Sequence, residues 1–128
     1  MTQVLDSDGH ATVVSDRVLV GWLVTWSHRR GGQDYRLYEG RNVVGRAAGA
    51  AGIVVDDDAM GDPHAVIRYL EGQFDLKDEM TTNGTRRNGS LIRTEVVLHD
   101  GDTIKLGRTE FVFRSARPMT RRPDGSLT

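Results

Sequence analysis

The chain has 128 residues, 17 Lys or Arg against 18 Asp or Glu, a formal net charge of −1, 38% hydrophobic residues and no cysteine. That length suits one domain with a modest core, and the missing cysteines exclude disulfides, zinc–thiolate sites and a cysteine nucleophile. Basic residues cluster only briefly, at Arg29-Arg30, Arg86-Arg87 and Arg121-Arg122, which argues against the concentrated basic face that nucleic-acid binding needs.

In chain order, residues 1–17 are polar and read as a flexible N-terminal tail. The start "MTQVLDSDGH" lacks the basic-then-apolar pattern of a signal peptide, and no stretch nears the ~18 apolar residues of a membrane span. The expectation is a cytoplasmic protein with no membrane partner. Val18–Trp26 is β-branched and aromatic on nearly both faces, which suits a central strand. Tyr35-Arg36-Leu37 and Asn42-Val43-Val44 follow as short strands around a turn at Glu39-Gly40. "GRAAGAAG", Gly45 to Gly52, holds good helix formers, but its interspersed glycines favour a loop.

Ile53-Val54-Val55 reads as another strand, and "DDDAMGDPH", Asp56 to His64, as an acidic loop after it. Ala65–Tyr69 and Gln73–Lys77 flank Glu71-Gly72 as a hairpin. Asn83-Gly84 and Asn88-Gly89 are turn signals, because Asn and Gly tolerate positive φ. Thr103–Leu106 and Thr109–Arg114 close the series, with Phe111 and Phe113 on one face and in the core. Residues 117–128 read as a flexible C-terminal tail, leaving one domain over 18–116. Short apolar runs every ~8 to 12 residues, with no helical periodicity, predict an all-β fold.

Catalytic chemistry finds little support. His10, His28, His64 and His99 are scattered, with no metal-ligand spacing. "GRAAGAAG" lacks both the GK[ST] ending of a phosphate-binding loop and the GxGxxG order of a dinucleotide site. The acidic loop lacks the alternating pattern and final Glu of a helix-loop-helix calcium site. There is no G-x-S-x-G elbow to make a nucleophilic trio of His64, Asp62 and a serine. No enzyme, metal or cofactor is expected.

Four pieces in order carry a more specific signal: Val44-Gly45-Arg46; Ile53 to Asp57 leading to His64-Ala65; Thr82-Asn83-Gly84-Thr85 with Asn88-Gly89; and Leu98 to Gly107, "LHDGDTIKLG". Together they resemble a forkhead-associated (FHA) domain from about Val18 to Arg114. The resemblance implies a β-sandwich of about 11 short strands whose loops at one end bind a phosphothreonine peptide. It implies Arg46 as the phosphate arginine, Thr82 as a hydroxyl donor and Asn83 as a clamp on peptide backbone. His64 holds the position that braces the binding loop, and Gly45, Gly84 and Asp102 are architectural. Such chemistry fits a ligand with about −1.5 to −2 charges and three acceptor oxygens.

The acidic loop departs from the pattern. Where the family has serine three residues before the histidine, and usually arginine two before it, this chain has Gly61 and Asp62. One hydrogen bond to a charged group is worth about 1.5 to 3 kcal/mol, and an added like charge opposes the phosphate as well. Two compensations are conceivable from sequence: a Gly61 backbone N–H offered to the anion, or Arg41, Arg86 or Arg87 turned toward the site.

The resemblance therefore implies a non-enzymatic interaction module, signalling or regulatory and of bacterial type. Its partner is a protein or peptide, and its phosphothreonine recognition is impaired or altered. The alternatives are a working phosphothreonine reader using Arg46, Thr82 and Asn83, or a structural, oligomerising sandwich pairing through edge strands.

Overall fold

The computed structural model describes residues 2–5, 11–14, 17–49 and 51–116. Two short strands, β1 (Thr2–Leu5) and β2 (Ala11–Val14), pair antiparallel with each other in a sheet of their own, within the segment read as an N-terminal tail. The segment read as a C-terminal tail, 117–128, lies outside the described residues.

Eleven further strands form two sheets, as the resemblance implies. They are β3 (Leu19–Thr25), β4 (Gln33–Tyr38), β5 (Gly40–Gly45), β6 (Ile53–Val54), β7 (Ala65–Leu70), β8 (Gln73–Asp78), β9 (Thr85–Arg87), β10 (Ser90–Leu91), β11 (Val96–Leu98), β12 (Thr103–Leu106) and β13 (Thr109–Ser115). One sheet runs β10-β9-β12-β13-β3-β4 and the other β11-β8-β7-β5-β6, with β5 and β6 parallel. No helix occurs among the described residues.

Alternation of side chains builds the core. On β13, Phe111 and Phe113 both point inward and are fully buried, while Glu110 and Arg114 face out. Phe74 of β8 meets Phe113 edge-on at 4.7 Å between ring centroids, joining the two sheets. On β3, Val20 and Leu23 are buried, while Trp22 and Val24 are only half covered. The strand is interior to its sheet, but its Gly21 has a separate cause. A Cβ there would lie 2.6 Å from the Arg114 carbonyl oxygen, and a register shift falls between Leu19 and Gly21.

Sequence patterning passed over β9, β10 and β11. β9 is the polar run Thr85-Arg86-Arg87, yet it pairs with β12, and its Thr85 is fully buried because the hydroxyl donates to Asp78. Tertiary pairing overrides a composition that reads as loop. The described residues of "GRAAGAAG" contain no helix: Gly45 ends β5, Gly52 precedes β6, and the Gly52 N–H returns to the Val43 carbonyl at 3.1 Å.

Candidate functional site

The loops after β5, before β7 and after β8 converge on an open cavity of about 490 Å³. It brings together Arg46, Gly61, Asp62, Thr82 and Asn83, which are up to 37 positions apart in the chain. Gly45, His64 and Gly84 lie behind this surface.

His64 ties the wall together. It is fully buried immediately before β7, and its Nδ1 accepts the Gly61 N–H at 2.8 Å. That fixes the tautomer: Nε2 carries the proton and donates to the Gly84 carbonyl at 2.9 Å. One imidazole thus joins the acidic loop to the turn that carries Asn83. Gly45 is buried and closely packed: a Cβ there would come within 3.2 Å of Pro63 Cα and 3.3 Å of the Gly61 carbonyl oxygen. Gly84 has φ +75°, and a Cβ there would meet Leu91 Cδ1 at 2.5 Å.

Two residues of this wall escaped sequence reasoning. Asp78 ends β8, and its carboxylate accepts the Thr81 N–H at 3.0 Å, the Thr81 hydroxyl at 2.7 Å and the Thr85 hydroxyl at 2.8 Å. Burial would push this carboxyl up, but the three hydrogen bonds, aided by nearby His64, hold it below the ordinary aspartate range. Thr81 Oγ1 in turn accepts the Gly84 N–H at 3.0 Å. The spacing Asp-x-x-Thr, in which an Asp side chain closes a turn on the residue three ahead, was the available signal.

The acidic loop divides by role. Asp57 is 6% exposed and points away from the cavity. Its carboxylate accepts the Ala59 N–H at 2.9 Å, the Arg108 N–H at 2.8 Å and the Thr109 hydroxyl at 2.7 Å. Because Thr109 gives its proton to Asp57, His28 Nε2 donates to Thr109 across 2.7 Å. Burial opposes ionisation of Asp57, yet the Thr109, Arg108 and Ala59 hydrogen bonds with His28 bring its pKa down. Asp57 is thus a tie between the loop and the β12–β13 turn. Asp58 and Asp62, both exposed, line the cavity, and Glu79 and the 96% exposed Met80 stand on the facing loop.

Neither compensation conceived from the sequence is present. The Gly61 N–H is given to His64, so it is not offered to a ligand. Arg86 Nη1 donates to the Gly89 carbonyl at 3.3 Å and Arg87 Nη1 to the Val97 carbonyl at 2.9 Å, while Arg41 lines other grooves. Among the described residues lining the cavity, the one cation is Arg46, set against the three carboxylates Asp58, Asp62 and Glu79. Asp102 lies elsewhere, where it accepts the His99 N–H and the Asn88 side-chain amide. No group of three His, Cys, Asp or Glu placed to hold a metal occurs among the described residues.

The FHA domain family model matches residues 42–107. The FHA domain-containing protein FhaA of Mycobacterium tuberculosis is 37% identical over 84 residues, covering 65% of this chain and 15% of that protein. The oxoglutarate dehydrogenase inhibitor of Corynebacterium efficiens is 38% identical over 61 residues, covering 48% of this chain and 42% of that protein. The chain thus spans less than half of either relative. Among solved structures, the FhaA FHA domain, complexed with the intracellular domain of Rv3910, aligns with TM-score 0.65 and 33% identity, covering 74% of this chain and 99% of that one. An FHA domain solved in work on phosphothreonine-dependent FHA interactions aligns with TM-score 0.67 and 32% identity, covering 79% and 99%.

Proposed function

The chain belongs to the FHA domain family, and from that premise we propose that it is a non-enzymatic protein-interaction module whose phosphothreonine recognition is weakened. The observation that carries this reading is the charge of the cavity: Arg46 stands among Asp58, Asp62 and Glu79, with no hydroxyl at position 61. A phosphate of about −1.5 to −2 charges must approach one guanidinium past three carboxylates. Each like-charge pair opposes it by on the order of 1 kcal/mol at ~4 Å in water-like surroundings. The lost serine hydrogen bond removes about 1.5 to 3 kcal/mol more, roughly ten- to a hundredfold in affinity. Arg46, Thr82 and Asn83 share the cavity, so residual phosphopeptide binding is the second reading.

Calorimetric titration with a phosphothreonine-peptide library and its unphosphorylated twin tests it. The expected result is little or no preference for phosphate. Micromolar, phosphate-dependent binding that disappears in Arg46→Ala would instead establish the second reading.

A further inference from the structure

A groove of about 510 Å³ runs along the side of the sandwich, where β4, the last strand of one sheet, faces β5 and β6, the last strands of the other. Its floor is apolar, from half-buried Tyr35 and Val43, buried Ile53 and the 43% exposed Val54. Among the described residues its charge is the reverse of the phosphate cavity's: Arg17, Arg36 and Arg41 line it with one carboxylate, that of Asp34. Arginine suits this role because one guanidinium carries five donors, so an arginine already bonded within the protein still presents a cationic face.

The groove is held in shape before any ligand arrives. Asn42, 6% exposed, accepts the Tyr38 N–H at 2.9 Å and donates to the Tyr38 carbonyl at 2.9 Å and the Ile67 carbonyl at 3.0 Å. Arg17 crosses the β4–β5 turn, donating to the Glu39 carbonyl at 2.8 Å, and stacks 5.2 Å from the Tyr38 ring centroid. The Tyr38 backbone groups therefore point away from β3, and the two-residue alternation of an antiparallel strand directs those of Asp34 to the same outer edge. A rigid groove beside an outer strand edge favours an extended chain, since little ordering cost falls on the protein.

We propose that this groove is a docking site for an extended, acidic segment of a partner protein, with alternate apolar side chains on the Tyr35–Val43–Ile53–Val54 floor and carboxylates against Arg36 and Arg41. The proposal is independent of the phosphate cavity and stands whichever way the phosphothreonine titration falls.

The test is amide NMR of the full chain with an acidic probe, a peptide of about ten residues alternating glutamate with valine or tyrosine, and with its lysine-for-glutamate twin. Shifts confined to residues 34–38, 41–43 and 52–54, with the acidic peptide alone, are expected. Arg36→Glu/Arg41→Glu should weaken binding at least tenfold, as should Val54→Asp in an otherwise unchanged spectrum. No shifts, equal binding of the lysine twin, shifts centred on Arg46, Asp62 and Asn83, or indifference to these variants would overturn the proposal. Shifts at the groove that appear with protein concentration alone would overturn it in favour of a second copy as the occupant.

Discussion

Restoring the serine that the family carries at position 61 should destabilise this protein. A Cβ at Gly61 would lie 2.7 Å from Thr81 Cγ2, 3.0 Å from the Pro63 carbonyl oxygen and 3.3 Å from His64 Cα. The threonine methyl cannot simply rotate away, because its hydroxyl is held between the Asp78 carboxylate at 2.7 Å and the Gly84 N–H at 3.0 Å. Turning it breaks two hydrogen bonds, one to a charged group. Moving the loop instead strains the 2.8 Å bond from Gly61 to His64 and the 3.1 Å bond from the Arg46 N–H to the Gly61 carbonyl. Either route falls in the usual cost of overpacking, about 1–3 kcal/mol.

The same geometry names the remedy. Thr81→Ser removes the obstructing methyl and keeps the hydroxyl bonded. In a cycle of Gly61→Ser, Thr81→Ser and the double variant, measured by urea unfolding, the double variant should be more stable than the sum of the singles by about 1–2 kcal/mol. A Gly61→Ser protein as stable as the natural one, or strictly additive effects, would refute the reasoning. The functional corollary is that Gly61→Ser/Asp62→Arg/Thr81→Ser should gain more phosphopeptide affinity than Gly61→Ser/Asp62→Arg, because the two-residue change fits its new hydroxyl into a strained loop.

Three other outcomes follow from the site. Asp58→Asn/Asp62→Asn removes two carboxylates that line the cavity with Arg46 and should tighten a phosphothreonine peptide roughly tenfold at low salt, with the gain shrinking by about 0.5 M salt, as read by fluorescence anisotropy. His64→Ala leaves the Gly61 N–H and the Gly84 carbonyl without their partner and opens a cavity, so urea unfolding should report a loss of about 2–4 kcal/mol. Asp57 and Asp78 have folded-state pKa values held below the ordinary 3.8, so the stability they contribute is present above that value and is lost as pH falls through their lower folded values. Unfolding free energy measured from pH 7 down to pH 2 should drop in the acid range, and Asp57→Asn and Asp78→Asn should each flatten part of that drop.

How much of this was legible in the sequence depended on which physical constraint acted locally. Val18–Trp26 declared itself as a β-branched and aromatic run on nearly both faces, and Thr109–Arg114 because burial of alternate side chains writes a period of two into the residues themselves. β9 did not, because Thr85 is buried by a hydroxyl given to Asp78, seven residues earlier, and half-buried Arg87, opposite buried Ile104 of β12, carries its guanidinium out to the Val97 carbonyl. The order of the FHA motifs located Arg46, Thr82 and Asn83, and the loops do bring them to one cavity. What motif order could not carry was the state of each polar group. Gly61 reads as a vacant backbone donor in the sequence, and only the fold shows its N–H committed to His64.

The same limit governs charge. In the chain, Asp57 and Asp58 are equivalent neighbours; in the fold, one is buried under three hydrogen bonds and the other is exposed on the open cavity that Arg46 also lines. Likewise Arg17, Arg36 and Arg41 are scattered singly through a nearly neutral sequence, and the β4–β5 crossover gathers them along one groove. A net charge of −1 therefore hides, among the described residues, two surfaces of opposite sign, an acidic one at the loops around Arg46 and a basic one on the side of the sandwich. Electrostatic attraction decides where an anionic partner first meets a protein, so the docking proposed for the side groove and the weakened phosphate recognition proposed for the loops are two consequences of one charge arrangement.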